Sequence, residues 1–312
     1  MTAQGWIDET RDMLLSGYVE ELLLLASDAT SSATTLSVTG AASSGITIGI
    51  VIEVNTEAMY VTAVSGTDVS VIRAYGGSTA TSHTASDIVR VSPKFPAYRI
   101  MEALNNDLRD LSSPDNGLFQ IKTTSFTYNA AQEGYNLSGL TSEEVQSIYT
   151  VTYADPIPVE ASEPEIRSWR LKRNRDTAAF NSGLALILYG PGWPGKKVTV
   201  SYKSPLTLIT ATTDAKSGTG LPSTAYDLPP LGAALALMTT TPIRREFLDA
   251  QVMHRRAEEV PPGAISASFR DLMGRRRARL EAEAARLATM YPQNLKDNSS
   301  SRPVGNWGRY WS

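Results

Sequence analysis

The chain contains no cysteine. That excludes disulfides, thiolate nucleophiles, iron–sulfur clusters and cysteine-based zinc sites. Histidine is almost as scarce, with only His83 and His254, far apart in sequence. A histidine-rich metal site within one chain is not expected, and no cofactor is implied. Long hydrophobic runs are missing too. Leu231–Met238 is about 8 residues long, against the ~20 needed to span a bilayer. No basic region followed by an apolar run opens the chain, and Glu20-Glu21 precede the short stretch Leu22–Leu25. The chain reads as a protein made in the cytosol, with no membrane partner.

Catalytic signatures are absent as well. There is no G-x-S-x-G elbow, no Walker loop and no H-E-x-x-H. The stretch Gly190-Pro191-Gly192-Trp193-Pro194-Gly195 resembles a phosphate loop only in composition. It lacks the Lys-Ser/Thr ending and reads as a hairpin tip. The acidic pairs Glu20-Glu21, Glu143-Glu144 and Glu258-Glu259 are adjacent, so their members point in different directions on a helix. His83 sits in a turn-like Ser-His-Thr, and His254 beside Arg255 and Arg256. The first reads as a surface or structural residue and the second as a surface one. The chain is expected not to be an enzyme.

What is present is surface. The 312 residues suffice for two or three domains, with ordinary hydrophobic (42%) and charged (20%) content. The net charge of -3 conceals an asymmetry: residues 240–312 carry 13 Lys/Arg against 8 Asp/Glu, so this part is basic and the remainder acidic. Such a split suits a nucleic-acid face or a docking face for an acidic partner.

Periodicity divides the chain. Trp6, Ile7, Thr10, Met13, Leu14, Tyr18, Leu22 and Leu25 recur near helical spacing, predicting a helix over about Gln4–Ala26, weakened at Ser16-Gly17. Thr30–Val91 then alternates with period two, in runs such as Leu36/Val38, Ile46/Ile48/Ile50 and Val69/Val71. This predicts a compact barrel or a twisted set of hairpins. Ile100, Met101, Leu104, Leu108 and Leu111 form a helical stripe over Pro96–Leu111. About five strands between Leu118 and Thr210 suggest a β-sandwich. Thr212–Ser223 reads as a Gly/Ser/Thr linker. A helix opens at Asp227-Leu228-Pro229-Pro230 and runs to about Glu258, and a last helix covers Ile265–Met290.

The expected fold class is therefore α+β: a helical-bundle body of about four helices with two β-lobes emerging from it. Residues 1–28 and 93–113 are the first two parts of that body, and 224–292 its C-terminal helices. Residues 29–92 are the inserted barrel-like lobe, 114–211 the sandwich lobe, and 293–312 an extended tail.

Two groups of residues are candidates for contact. Arg275, Arg276, Arg277 and Arg279 spread over most of one helix circumference. They are either a solvated face, paired in part with Glu281 and Glu283, or a contact for phosphates or an acidic partner. No groove-reading motif accompanies them. The tail holds Arg302, Trp307, Arg309, Tyr310 and Trp311 among Ser, Asn, Gly and Pro. Aromatics in an aperiodic segment suit a docking peptide that orders on a partner.

Several of these segments share a likeness. Leu36-Ser37-Val38-Thr39, Glu57-Ala58-Met59-Tyr60-Val61, Val69-Ser70-Val71-Ile72-Arg73 and Gly77-Ser78-Thr79-Ala80-Thr81-Ser82-His83 resemble a β-module recurrent in structural proteins of tailed bacteriophages. Pro93-Lys94-Phe95-Pro96 with Ala103-Leu104-Asn105-Asn106-Asp107-Leu108 looks like the helix that follows that module. The order of elements over most of the chain is similar to head-to-tail adaptor (connector, neck) proteins of long-tailed phages. The chain departs from the module at Ala74-Tyr75, where Arg-Gly is common, and at Ser86-Asp87, where Gly is common. The resemblance implies a virion protein at the capsid–tail neck, in a homo-oligomeric ring, usually dodecameric, beneath the portal ring. A stopper or tail-terminator protein would attach below, the major capsid protein is a further contact, and packaged DNA passes non-specifically through the channel. The tail would then dock on the portal, and the arginines would face the channel or the portal. Two alternatives remain: another tail or baseplate subunit whose β-lobes bind carbohydrate or host, and a virion-associated hydrolase.

Overall fold

A computed structural model describes residues 1–15, 20–132, 134–154, 165–189, 193–240 and 264–292. The chain divides into two compact units, Met1–Leu111 with Thr207–Glu281, and Ser112–Leu206 with the residues from Ala282 onward. The division falls inside the last helix.

The first unit contains α1 (Ala3–Leu15), β1 (Glu21–Leu25), β2 (Thr35–Thr39), β3 (Val51–Val54), β4 (Glu57–Ser65), β5 (Asp68–Ile72), β6 (Ile88–Val91), α2 (Ala97–Leu111) and α3 (Leu228–Thr240). It also contains the beginning of α4 (Ala264–Met290). The six strands close into an antiparallel barrel in the order β1-β2-β5-β4-β3-β6. Period-two alternation sends Leu36, Val38, Ile52, Val54, Met59, Val61, Val69, Val71, Val89 and Val91 inward to one core. The β4–β5 turn uses Gly66 at a φ of 63°. Ala74 and Ser86 also take positive φ, 53° and 72°. L-residues occupy that region at a cost of roughly 1 kcal/mol.

The expected helical-bundle body is overturned. The chain is mostly β, with a closed six-stranded barrel, two further sheets and four helices among the described residues. The largest misreading is the first helix. It ends at Leu15, and Leu22–Leu25 is strand rather than helix. This strand pairs with β2 through Leu24↔Thr39 and Leu25↔Val38, and with β6 from Glu21↔Val91 to Leu24↔Ile88. Without it, both β2 and β6 would present bare edges. Closing the barrel outweighs the helical preference of a four-leucine run, because tertiary pairing overrides local propensity.

The helices of this unit bury a second set of side chains. Trp6 and Ile7 of α1, Ile100, Leu104, Leu108 and Leu111 of α2, and Leu231, Ala233 and Ala234 of α3 are buried. The Trp6 indole donates to the Tyr226 carbonyl at 2.7 Å. Residues 212–223, expected to be a linker, form an ordered strap. The amides of Ala3 and Gln4, at the start of α1, donate to the carbonyls of Asp214 and Thr212. Lys216 is buried with its ammonium 5.1 Å from the Trp6 ring.

A buried ionic network joins α1, the barrel and α2. Arg11 of α1 donates to Glu53 of β3 at 2.8 Å and to the Phe95 carbonyl at 3.2 Å. The other Glu53 oxygen accepts from the amide of Ala97, the first residue of α2, where a carboxylate also suits the helix dipole. Arg90 of β6 pairs with Glu20 at 3.1 Å. Glu53 is 1% exposed. A second node lies inside the barrel: Glu57 accepts from Arg73 at 2.6 and 2.7 Å, from the amides of Ala74 and Thr81, and lies 2.9 Å from His83 Nε2. His83 is buried, so it is structural and not a surface residue.

The second unit contains β7 (Gln120–Thr127), β8 (Gly134–Asn136), β9 (Ser147–Tyr153), β10 (Trp169–Lys172), β11 (Ala185–Leu188) and β12 (Lys197–Ser204). They form two three-stranded antiparallel sheets, β7-β12-β9 and β10-β11-β8. Both contribute to one core, with Val151, Val198, Val200 and Tyr202 from the first and Tyr135 and Leu186 from the second. The remainder of the helix predicted to reach Glu258, together with His254, lies outside the described residues.

Removing one partner of a buried pair leaves an uncompensated charge, at a cost of about 3–5 kcal/mol. Arg11→Met is therefore expected to lower the unfolding free energy by about that much, and adding Glu53→Gln should restore part of it. Urea denaturation measures both, and a loss below about 1 kcal/mol for Arg11→Met would remove the network from its structural role.

Candidate functional site

The four predicted arginines lie on the stretch of α4 that belongs to the first unit, and they do not behave alike. Arg276 turns inward: its Nη2 donates to Asp107 at 2.6 Å and to Asp110 at 2.7 Å, both on α2. Arg279 donates to both carboxylate oxygens of Asp227, at 2.8 and 3.1 Å, and to the Thr224 carbonyl. Arg277 pairs with Glu281 one turn on, at 2.9 Å, with its side chain largely exposed. Arg275 is exposed. Two of the four thus tie α4 to the acidic residues of its own unit, and Arg275 and Arg277 are the two presented to solvent. The tail residues Arg302, Trp307, Arg309, Tyr310 and Trp311 lie outside the described residues.

The acidic partners carry a signal that sequence reading missed. Asp107 and Asp110 are three apart on α2, hence on one helix face, and Asp107 falls beside the apolar stripe through Leu104, Leu108 and Leu111. Asp107 is 7% exposed, and its Oδ2 has no hydrogen-bond partner. Burial pushes its carboxyl up to about 7, against the pull of Arg276. Gly232 of α3 makes this geometry possible, because a methyl group there would overlap the Asp107 carboxylate. A cavity of about 390 Å³ opens at this point, lined by Asp107, Asp110, Arg276, Gly232, Phe269 and Met273 among others.

Other features are surfaces. Leu22 and Leu24 on β1 and Ile88 on β6 are adjacent in register and about half exposed, on the outer wall of the barrel. Among the described residues, no group of three or more His, Asp or Glu side chains is placed to hold a metal ion. No described helix is long and apolar enough to cross a membrane. Glu53 with Arg11, and Glu57 with Arg73 and His83, are buried pairings that join secondary-structure elements of the first unit.

No family model matches the chain, and no curated protein matches its sequence.

Two outcomes test the Asp107 site. The folded chain holds the Asp107 proton more tightly than the unfolded chain does. The stability this contributes is complete below the ordinary carboxylate value and is lost as pH rises through about 7. Relative to Asp107→Asn, the unfolding free energy of the unmodified chain should therefore fall between pH 5 and pH 8, and parallel profiles would exclude Asp107 as the source. Gly232→Ala should gain helix propensity yet lose stability by about 1–3 kcal/mol through the overlap. In a double-mutant cycle, Asp107→Ala should reduce that loss.

Proposed function

We propose that the chain is a non-enzymatic structural virion protein, the head-to-tail adaptor of a long-tailed phage. It forms a ring under the portal, joins capsid to tail and surrounds the DNA channel. The observation that carries this reading is the barrel. The segments that resemble the phage β-module supply three of its six strands, β2, β4 and β5, and α2, which carries the residues resembling the module's following helix, follows β6, its last strand. The distribution of charge supports the same reading. The deeply buried Arg11–Glu53 and Arg73–Glu57 pairs hold the fold together, while the exposed Arg275 and Arg277 and the apolar strip at Leu22, Leu24 and Ile88 offer contact.

In this account the protein acts by assembly. Its partners are the portal ring, copies of itself, a stopper or tail-terminator protein and the major capsid protein. The segment with Arg302, Trp307, Arg309, Tyr310 and Trp311 docks on the portal, and burial of its aromatics supplies the affinity. Ring symmetry lets many weak contacts act together. Contact with packaged DNA is through phosphates and independent of base sequence. Arg275 and Arg277 are suited to it, since Arg276 and Arg279 are already occupied by acids of their own unit.

A second reading, a tail or baseplate subunit whose barrel binds carbohydrate, draws on one feature. The Tyr60 and Tyr75 rings lie 5.3 Å apart, with Tyr75 substantially exposed. Aromatic faces of that kind stack on sugars, but two rings make a small platform.

Deletion of Asn298–Ser312 is expected to leave the fold and its unfolding transition unchanged and to abolish co-sedimentation with portal rings. Normal attachment by the truncated chain would remove the docking role of the tail. Binding of the intact chain to a glycan array, lost in Tyr75→Ala, would favour the carbohydrate reading instead.

A further inference from the structure

The second unit holds a buried cation with no acid beside it. Lys203, on β12, is 9% exposed, and no salt bridge or hydrogen bond reaches its ammonium from any described residue. Its nearest distinctive neighbour is the Phe119 ring, whose centroid lies 4.1 Å from Nζ. Burial holds the Lys203 amine below its ordinary value. The ammonium meets water only through the cleft, and this partial desolvation, compensated by a ring face, costs the fold stability. An apolar side chain at that position would pack without the cost.

Lys203 lines a cleft of about 810 Å³, formed within this unit. That volume lies in the range of sites that take small molecules, ~300–1,000 Å³. Phe119 and Tyr291 form an aromatic wall, their ring centroids 5.9 Å apart. Ser113 and Ser147 also line the cleft. A second cation, Arg173, contributes to it. Its guanidinium donates to the carbonyls of Ser142 and Gln146, each at 2.8 Å, and to that of Val145, so it keeps its positive charge with no carboxylate attached. The acid lining the cleft is Glu143, which is exposed. The cleft thus combines two cations without acidic partners, one of them buried, with an aromatic wall of two rings set edge to face.

We propose that this cleft binds a small organic anion, its carboxylate or phosphate pairing with the Lys203 ammonium and its apolar body lying against Phe119 and Tyr291. An anion there converts an uncompensated buried charge into a charge-assisted hydrogen bond and stabilises the folded chain. The site is independent of the neck assignment, since it would serve a virion component and a protein of any other role equally.

The test uses the full chain with benzoate, phenyl phosphate, inorganic phosphate, benzyl alcohol and benzylammonium as probes. Benzoate and phenyl phosphate are expected to raise the thermal midpoint and to raise the Lys203 pKa, followed through its side-chain NMR signals. Inorganic phosphate, lacking the apolar body, should bind more weakly, and benzyl alcohol and benzylammonium should leave the Lys203 signal unchanged. Lys203→Met is expected to unfold at a higher temperature than the unmodified chain while binding benzoate at least about tenfold more weakly. Lys203→Arg should keep the binding. Equal effects of benzoate and benzyl alcohol, or benzoate binding unaltered in Lys203→Met, would overturn the proposal. Should Lys203→Met fail to fold, the NMR titration of the unmodified chain decides alone: an unmoved Lys203 pKa at saturating benzoate overturns it.

Discussion

The first unit is organised around one buried interaction, the pairing of Arg11 with Glu53. Neither charge can remain in a core alone, because desolvation of an unpaired ion costs several kcal/mol. Arg11 therefore fixes where α1 sits on the barrel wall, and the second Glu53 oxygen fixes where α2 begins by accepting from Ala97. Glu20, just before β1, brings Arg90 of β6 into the same network. Helix, closing strand and following helix are thus tied to one ionic network built on Glu53 and Glu20. The hydrophobic core of the barrel supplies the driving force for collapse, but it is non-directional. The ion pairs select the arrangement in which those elements meet.

The same logic separates the arginines of α4. Arg276 and Arg279 meet aspartates of α2 and of the segment before α3, so their charge is consumed inside the unit. Arg277 makes only a solvent-exposed pair one turn away, worth a few tenths of a kcal/mol. An arginine cluster in a sequence is therefore not one surface. The acids three-dimensionally opposite each arginine decide which of them remain available to a partner.

What was legible in the sequence was whatever depends on near neighbours. The alternation Leu36/Val38 and Val69/Val71 marks strands because the pleat has period two, and the stripe Ile100, Leu104, Leu108, Leu111 marks a helix because its turn has 3.6 residues. What depends on distant neighbours was not legible. Leu22–Leu25 continues a helical spacing locally, and only the open edges of β2 and β6 make it a strand. The Gly/Ser/Thr stretch 212–223 looks like a linker until the amides at the start of α1 supply its partners. Asp107 and Arg276 are 169 residues apart, and no spacing rule pairs them. Asp107 on the edge of an apolar stripe and Gly232 inside a helix were both visible, each unfavourable alone, and they explain each other only once α2 and α3 are packed.

In the first unit the Arg11–Glu53 and Arg73–Glu57 pairs serve folding, while Arg275, Arg277 and the strip at Leu22, Leu24 and Ile88 stay on the surface, which supports the proposed role of joining other proteins. The mass of the purified chain, measured by light scattering alone and after mixing with portal rings, tests that claim most directly. The account predicts a monomer or small oligomer that gains a ring-sized mass on the portal. A stable trimer or hexamer that ignores the portal would contradict it.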